Sequence, residues 1–362
     1  TDLNGDGVVD VTGAGGKVTV QGNQGPGSAA NNVALSGGSQ IVSTAEGRAD
    51  GGGISIRATS LNLDGASTIL SSTNGTGRGG DIVVSVQQAS FSGGATITSS
   101  TNLLDADAGA GGAITVQGLQ DPGSKADSLA LTDAGTGIIS TAFGRGRLGD
   151  IEVHAKTVSL TNEAAILGGT QLSTAKTAGN VTIEADSVSI SSRSSIASQV
   201  FAADAGKVTI TADQLTVDNG SIETSTSGVG QGGEVVINVG SATLVNGAAI
   251  SSSTLSPDVS AGDAGQVVIT ASSLNMNNAA ISSSTSGIGN ASSITVNVGT
   301  VTLSNGSQIR SASTRTDPGI NFNDDTTEPP GRAGNVTITA TGGFASDASS
   351  IATSAEANHG GD

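Results

Sequence analysis

Between Gly206 and Ile222, apolar residues stand at Val208, Ile210 and Ala212, then at Leu215 and Val217, then at Ile222. Within each group the spacing is two, the period of a β-strand whose side chains point alternately to opposite faces. The same offsets return from Gly233 (Val235, Ile237, Val239, Leu244, Ile250) and from Gly265 (Val267, Ile269, Ala271, Leu274, Met276, Ile281). They return again from Ser292 (Ile294, Val296, Val298, Val301, Leu303, Ile309). Earlier copies open near Gly16, Gly52, Gly80, Gly112, Gly149 and Gly179, and a later one opens at Gly334. The chain thus reads as eleven units over 16–362 with a shortest period of 27 residues, preceded by an Asp-rich turn over 1–15. Each unit predicts three short strands: Gly-x-Val-x-Ile-x-Ala, then Leu-x-Leu, then Ile-x-Ser-x-Thr. Asn219-Gly220, Asn246-Gly247 and Asn305-Gly306 follow the second strand, and both residue types tolerate the positive φ of a sharp bend.

No unit holds a helical pattern long enough for a crossover. The expected fold is all-β: a parallel β-helix, or β-solenoid, in which each unit is one three-stranded coil stacked on the next. At ~4.8 Å per coil, eleven coils make a rod roughly 50 Å long. A coil on its own is unstable. Its six or so aliphatic side chains contribute about 9–18 kcal/mol, whereas ordering its backbone costs about 27–54 kcal/mol. Stacking supplies the missing hydrogen bonds and covered faces, as in other repeat proteins.

Composition agrees with this reading. Gly supplies 55 of 362 residues, with five Phe, no Trp, no Tyr and one Met. A globular core of this size uses aromatics to fill its irregular centre, whereas a narrow lumen has room for Val, Ile, Ala, Ser and Thr. With no Cys, disulfides, thiolate metal sites and Cys nucleophiles are excluded. A net charge of −17 with 14 Lys and Arg argues against nucleic acid. No apolar run reaches the length of a membrane-spanning helix.

Insertions fall at recurring points. Asn-Gln-Gly-Pro-Gly-Ser follows Val20-Gln21-Gly22, and Leu-Gln-Asp-Pro-Gly-Ser follows Val116-Gln117-Gly118, 96 residues later at the same corner. Arg and Gly close coils at Gly77-Arg78-Gly79-Gly80, Gly144-Arg145-Gly146-Arg147 and Gly331-Arg332-Ala333-Gly334, where Arg can bond turn carbonyls, meet acidic neighbours or simply be solvated. The longest insertion, 311–333, carries Asp317, Asp324, Asp325, Glu328 and Pro329-Pro330 and predicts an acidic projecting loop.

Repeats such as Gly265-Gln-Val-Val-Ile-Thr-Ala through Ala280-Ile-Ser-Ser-Ser-Thr-Ser-Gly, with the Val116-Gln-Gly-Leu-Gln-Asp-Pro-Gly-Ser stretch, resemble filamentous-haemagglutinin-like exoproteins of cyanobacteria and filamentous bacteria. The resemblance runs from about Gly16 to the end. It implies a right-handed β-helix, export through an outer-membrane pore, and an adhesive or matrix role outside the cell with surface glycans or proteins as partners. A distinct amino-terminal secretion domain and a signal peptide are not visible before or after Thr1, so the chain reads as part of a shaft.

One motif carries chemistry. Asp2, Asn4, Asp6, the Val8 carbonyl and Asp10 place oxygens at alternating positions with Gly7 after the third, as in the calcium loops of EF-hands and dockerins. Gly13 stands where such a loop has its bidentate acid. Calcium is one reading and a plain acidic turn is the other. Asp105/Asp107 and Asp258/Asp263 read as solvated acids in insertions.

The rows after the third strand, such as Ile222-Glu-Thr-Ser-Thr and Ile250-Ser-Ser-Ser-Thr, predict stacked hydroxyl ladders. A flat hydroxyl face suits ice or glycans, but inward hydroxyls bonding along the stack explain the pattern equally, and Ile166-Leu-Gly-Gly-Thr interrupts it. Parallel β-helices also include polysaccharide lyases and hydrolases, which need clustered or paired carboxylates. His154 should point outward between Val153 and Ala155 with no acid partner near in sequence, and His359 lies near the end, so catalysis is not expected. The expected function is a structural or adhesive shaft, with an enzyme as the alternative. The terminal His359-Gly360-Gly361-Asp362 repeats the Gly79-Gly80-Asp81 that opens a coil. Either the coils continue in a longer chain, or subunits associate end to end.

Overall fold

In the computed structural model, residues 15–358 are described apart from 104–107, 143–145, 170–174, 202, 256–261, 288 and 317–330. Every element among them is a β-strand, and every strand pairing is parallel. One sheet runs through eleven successive coils, from Val18–Val20 to Val336–Ser346, with two further segments beside that path. The other stacks eleven strands, from Gln40–Ala45 to Ser350–Asn358. The first and last rungs are covered on one side only, so nine turns are fully enclosed rather than the eleven counted in the sequence.

The predicted first and second strands are one. Val208–Asp218, Val235–Val245 and Val267–Asn277 each run without a break. The corner survives as a slip in alternation: Ala212 and Leu215 face inward, while Asp213 and Gln214 are both exposed between them. A hydrogen-bonded strand tolerates one extra residue as a local bend, so no turn is needed. The two Pro-Gly insertions enter at this bend and split the strand, into Val18–Val20 and Ala30–Leu35 and into Ile114–Gln117 and Ala126–Thr132. They are built alike. Gly22 and Gly118 donate to Ser28 O and Ser124 O, and the Gln21 and Gln117 side chains accept from Gly27 N and Gly123 N at 3.0 and 2.8 Å.

Register holds from coil to coil except at the last pairing, where it shifts between Val298 and Thr300. Val208, Ile210, Leu215 and Val217 pair with Val235, Ile237, Ala242 and Leu244, and Ile222 pairs with Ile250. These side chains form one continuous core cluster from Leu35 to Ile309. Phe91 is its only aromatic, lying between Leu63 and Leu131. The turn between the sheets varies in length. Where three residues link the strands, two successive ones take positive φ, as at Asn246-Gly247 and Asn305-Gly306. Where two do, only the Asn takes positive φ, as at Asn219 and Asn278; a Cβ at Gly220 would lie 2.8 Å from Ile190 Cγ2, whereas Ala279 fits the equivalent place.

A row of glycines opens the coils: Gly52, Gly80, Gly112, Gly149, Gly179, Gly206, Gly233 and Gly265. A Cβ on any of these would collide with the carbonyl oxygen of the residue one coil below. None has positive φ, so close backbone approach is what favours glycine here, and Ser292, level with Gly265 one coil on, is the member of the row that carries a side chain. Inward hydroxyls of the third strand hold this row. Ser252 Oγ donates to Gly233 O at 2.8 Å and accepts from Gly265 N at 2.8 Å. Ser198 bridges Gly179 and Gly206, and Ser311 bridges Ser292 and Gly334, in the same way. Ser252→Ala takes the acceptor from the Gly265 N–H and one of two hydroxyl donors from Gly233 O, and lowers stability by about 1–3 kcal/mol in urea unfolding. Ser251→Ala, one residue away on the outer face, changes it by less than about 0.5 kcal/mol. Equal effects would refute the bridging role.

Candidate binding faces

The proposed calcium ligands Asp2, Asn4, Asp6, Val8 and Asp10 lie outside the described residues, as do Asp105, Asp107, Asp258, His359 and the acids of the longest insertion. That insertion begins later than the sequence suggested, because Gln308–Thr316 continues as strand past Ser311. Among the described residues no three His, Asp or Glu side chains converge in a way that would hold a metal ion.

Asp263 is structural rather than merely solvated: it accepts the Asn290 backbone N–H at 2.7 Å and its amide at 3.1 Å. It belongs to a set of corner acids and amides that cap the coil above, with Asp50 accepting from Arg78 N, Asp150 from Asn180 N and Asp204 from Gln231 N. The coil-closing arginines differ among themselves. Arg78 pairs with Asp81 at 2.8 Å, and Arg147 donates to Thr177 Oγ1 at 3.1 Å.

The hydroxyl rows divide by face. Inward members such as Ser71, Ser198, Thr224 and Ser252 bond the glycine backbone. The outer row on the same strands is flat and weakly polar: Thr98, Ile139, Leu167, Ala197, Glu223 and Ser251 succeed one another. Glu223 is the acid in this series, half-buried, accepting from Gln199 Nε2 at 2.6 Å. Burial pushes its carboxyl above the usual carboxylate range, and the Gln199 amide opposes the rise. Between the ordinary and the raised value, the folded chain holds a proton that the unfolded chain has released. Stability therefore falls as pH rises through that window. Glu223→Gln keeps an acceptor for Gln199 and removes the charge. It should melt higher than the parent at neutral pH, the gap closing as pH falls towards about 4. Melting curves followed by circular dichroism that stay parallel at every pH would reject this.

His154 points outward as expected, but it does have acid partners. Nδ1 lies 3.2 Å from Glu184 Oε2 on the next coil, and Nε2 lies 4.0 Å from Glu152. Glu152, two residues away on the same strand face, is local in sequence, whereas Glu184 is brought alongside only by the register His154↔Glu184. Around it, Lys156 meets Asp127 at 2.7 Å, and Lys125, from the second Pro-Gly insertion, meets Asp186 at 2.6 Å. Asp127 holds the Lys156 ammonium above its ordinary value, by hydrogen bond first and by charge second. The pairs are exposed and tie the insertion to the sheet, a role in which such pairs contribute little stability.

These features define a class: a parallel β-solenoid of two stacked sheets with an aliphatic lumen and a glycine-lined corner. Comparison with protein-family models, curated proteins and solved structures gave no match.

Proposed function

We propose that the chain is a non-catalytic shaft segment of an adhesive exoprotein at a bacterial surface or in its matrix, exported through an outer-membrane pore. The observation that carries this reading is the combination of an uninterrupted core with insertions confined to corners and bends. Such a rod varies its surface without disturbing its lumen and presents long flat faces to extended partners. The likeness of its repeats to filamentous-haemagglutinin-like exoproteins points the same way.

The specific feature favouring an enzyme is His154 beside Glu184 and Glu152. Both glutamates are exposed, and neither of the two grooves found among the described residues includes this trio, so nothing shown there orients a glycosidic bond against it. Beads coated with the full chain and applied to films of defined matrix polysaccharides test the two readings together. Saturable adhesion without new reducing ends supports the shaft. Release of reducing ends, or no adhesion to any film, rejects it.

A further inference from the structure

The outer face of the first three coils carries a groove of about 400 Å³ lined by Lys17, Asp50, Ser55, Arg78, Asp81 and Val83, among others. Val18 pairs with Ile54 and Ile54 with Ile82, which brings Lys17, Ser55 and Val83 onto one outward surface. Two residues beyond Ser55 on the same face stands Arg57, with Ser85 beside it on the next coil. The Pro-Gly loops flank this ground, one on the first coil and one on the fourth, three rungs or about 14 Å apart.

Arg57 is unusual in so acidic a chain. Its guanidinium reaches under the second loop to donate to Leu119 O. Its Nε is buried without an acceptor, and no carboxylate pairs with it among the described residues. Lys17 is exposed and likewise lacks an acid partner among them. The two acids of the groove are engaged: Asp50 accepts from Arg78 N, and Asp81 accepts from the Arg78 guanidinium and from Ala113 N. A guanidinium has five donors in a fixed fork suited to carboxylates, and one of Arg57's, the covered Nε–H, meets no acceptor among the described residues.

We propose that this groove binds a carboxylated polysaccharide, with Arg57 taking one uronate carboxylate and Lys17 another farther along. This names the ligand class of the adhesive reading and rests on it. Lys17 stands level with Gly53, four residues before Arg57, so the two cations are about 13 Å apart along the strand. A few sugar units span such a distance, with Ser55 between the two cations, and beyond Arg57 the Gln117 amide bonds Ser85 at 3.2 Å. An acidic peptide fits less well. The backbone groups of the second and third coils are already paired within the sheet, so strand addition is confined to the outer edge of the first rung.

Interferometry on the immobilised full chain, with oligogalacturonate, poly-glutamate and dextran as probes, tests this. Oligogalacturonate should bind in a salt-sensitive way. Arg57→Gln and Lys17→Gln should each weaken it, the former by about tenfold or more. Arg193→Gln, which breaks the distant pair with Glu163, should leave it unchanged. Because Arg57→Gln also frees the loop, melting curves of each variant accompany the binding, and Lys17→Gln, which has no contact to lose, keeps the test sound. Equal binding of dextran or poly-glutamate, binding insensitive to both substitutions, or no binding of oligogalacturonate overturns the proposal. If bead adhesion to neutral films persists while oligogalacturonate is ignored, the groove assignment falls and the adhesive reading stands.

Discussion

Gly233→Val destabilises the chain by about 3 kcal/mol or more, whereas Gly16→Val in the same row leaves it unchanged. A Cβ at Gly233 would overlap Gly206 O and lie 2.8 Å from Gly206 C and 3.0 Å from Ala205 O. All of these are backbone atoms, fixed by ladders above and below, so no rotamer change relieves the clash. The Gly233 carbonyl also accepts from both Thr224 and Ser252, so a displaced backbone loses those bonds too. At Gly16, on the first rung, the Cβ position is open. Strand propensity is the same at both sites and favours valine, so only interstrand approach separates them. Urea unfolding of the two variants reads the difference. A Gly233→Val protein as stable as the parent would show that this corner can yield.

Ile237→Asp is the second large effect, a loss of about 4 kcal/mol or more. Ile237 is 0% exposed and stacked between Ile210 and Ile269. A carboxylate there has neither water nor a cation, and its proton uptake softens the cost without removing it. Because each coil is held by its neighbours, the damage should spread along the axis rather than across the whole rod. Hydrogen exchange should rise most in the coils beginning at Gly206, Gly233 and Gly265 and fade towards both ends. Val236→Asp, one residue away and facing outward, should keep protection near the parent's. Equal exchange in the two variants would contradict the alternation on which the lumen depends.

The lumen was legible because its signal is repeated and has a period. Val208, Ile210, Leu215, Val217 and Ile222 recur at constant offsets, and a one-residue slip would turn every one of them out to solvent. The outer faces were not legible in this way. The third-strand hydroxyls looked like a single motif, yet Thr224 and Ser252 are brackets for the glycine row, while Glu223 lies among small residues on the outside. The nearer of His154's two acid partners was hidden because Glu184 is thirty residues away, although Glu152 stands two residues off on the same strand. The merging of the first two strands was hidden for a related reason. Two consecutive polar residues, such as Asp213-Gln214, are written alike whether the chain turns or only bends.

By itself the sequence determined the strand period, the parallel stack, the aliphatic lumen and the two duplicated insertions, since each is a matter of local spacing and side-chain volume. Only the tertiary structure decided which residues of different coils become neighbours. The offset between coils varies with each insertion, so Arg57 reaches Leu119 across sixty-two residues and Lys125 reaches Asp186 across sixty-one. The glycine row was visible as composition, but its cause was not. A glycine free to turn and a glycine pressed against a carbonyl one coil below are the same letter, and only the stacked backbone tells them apart.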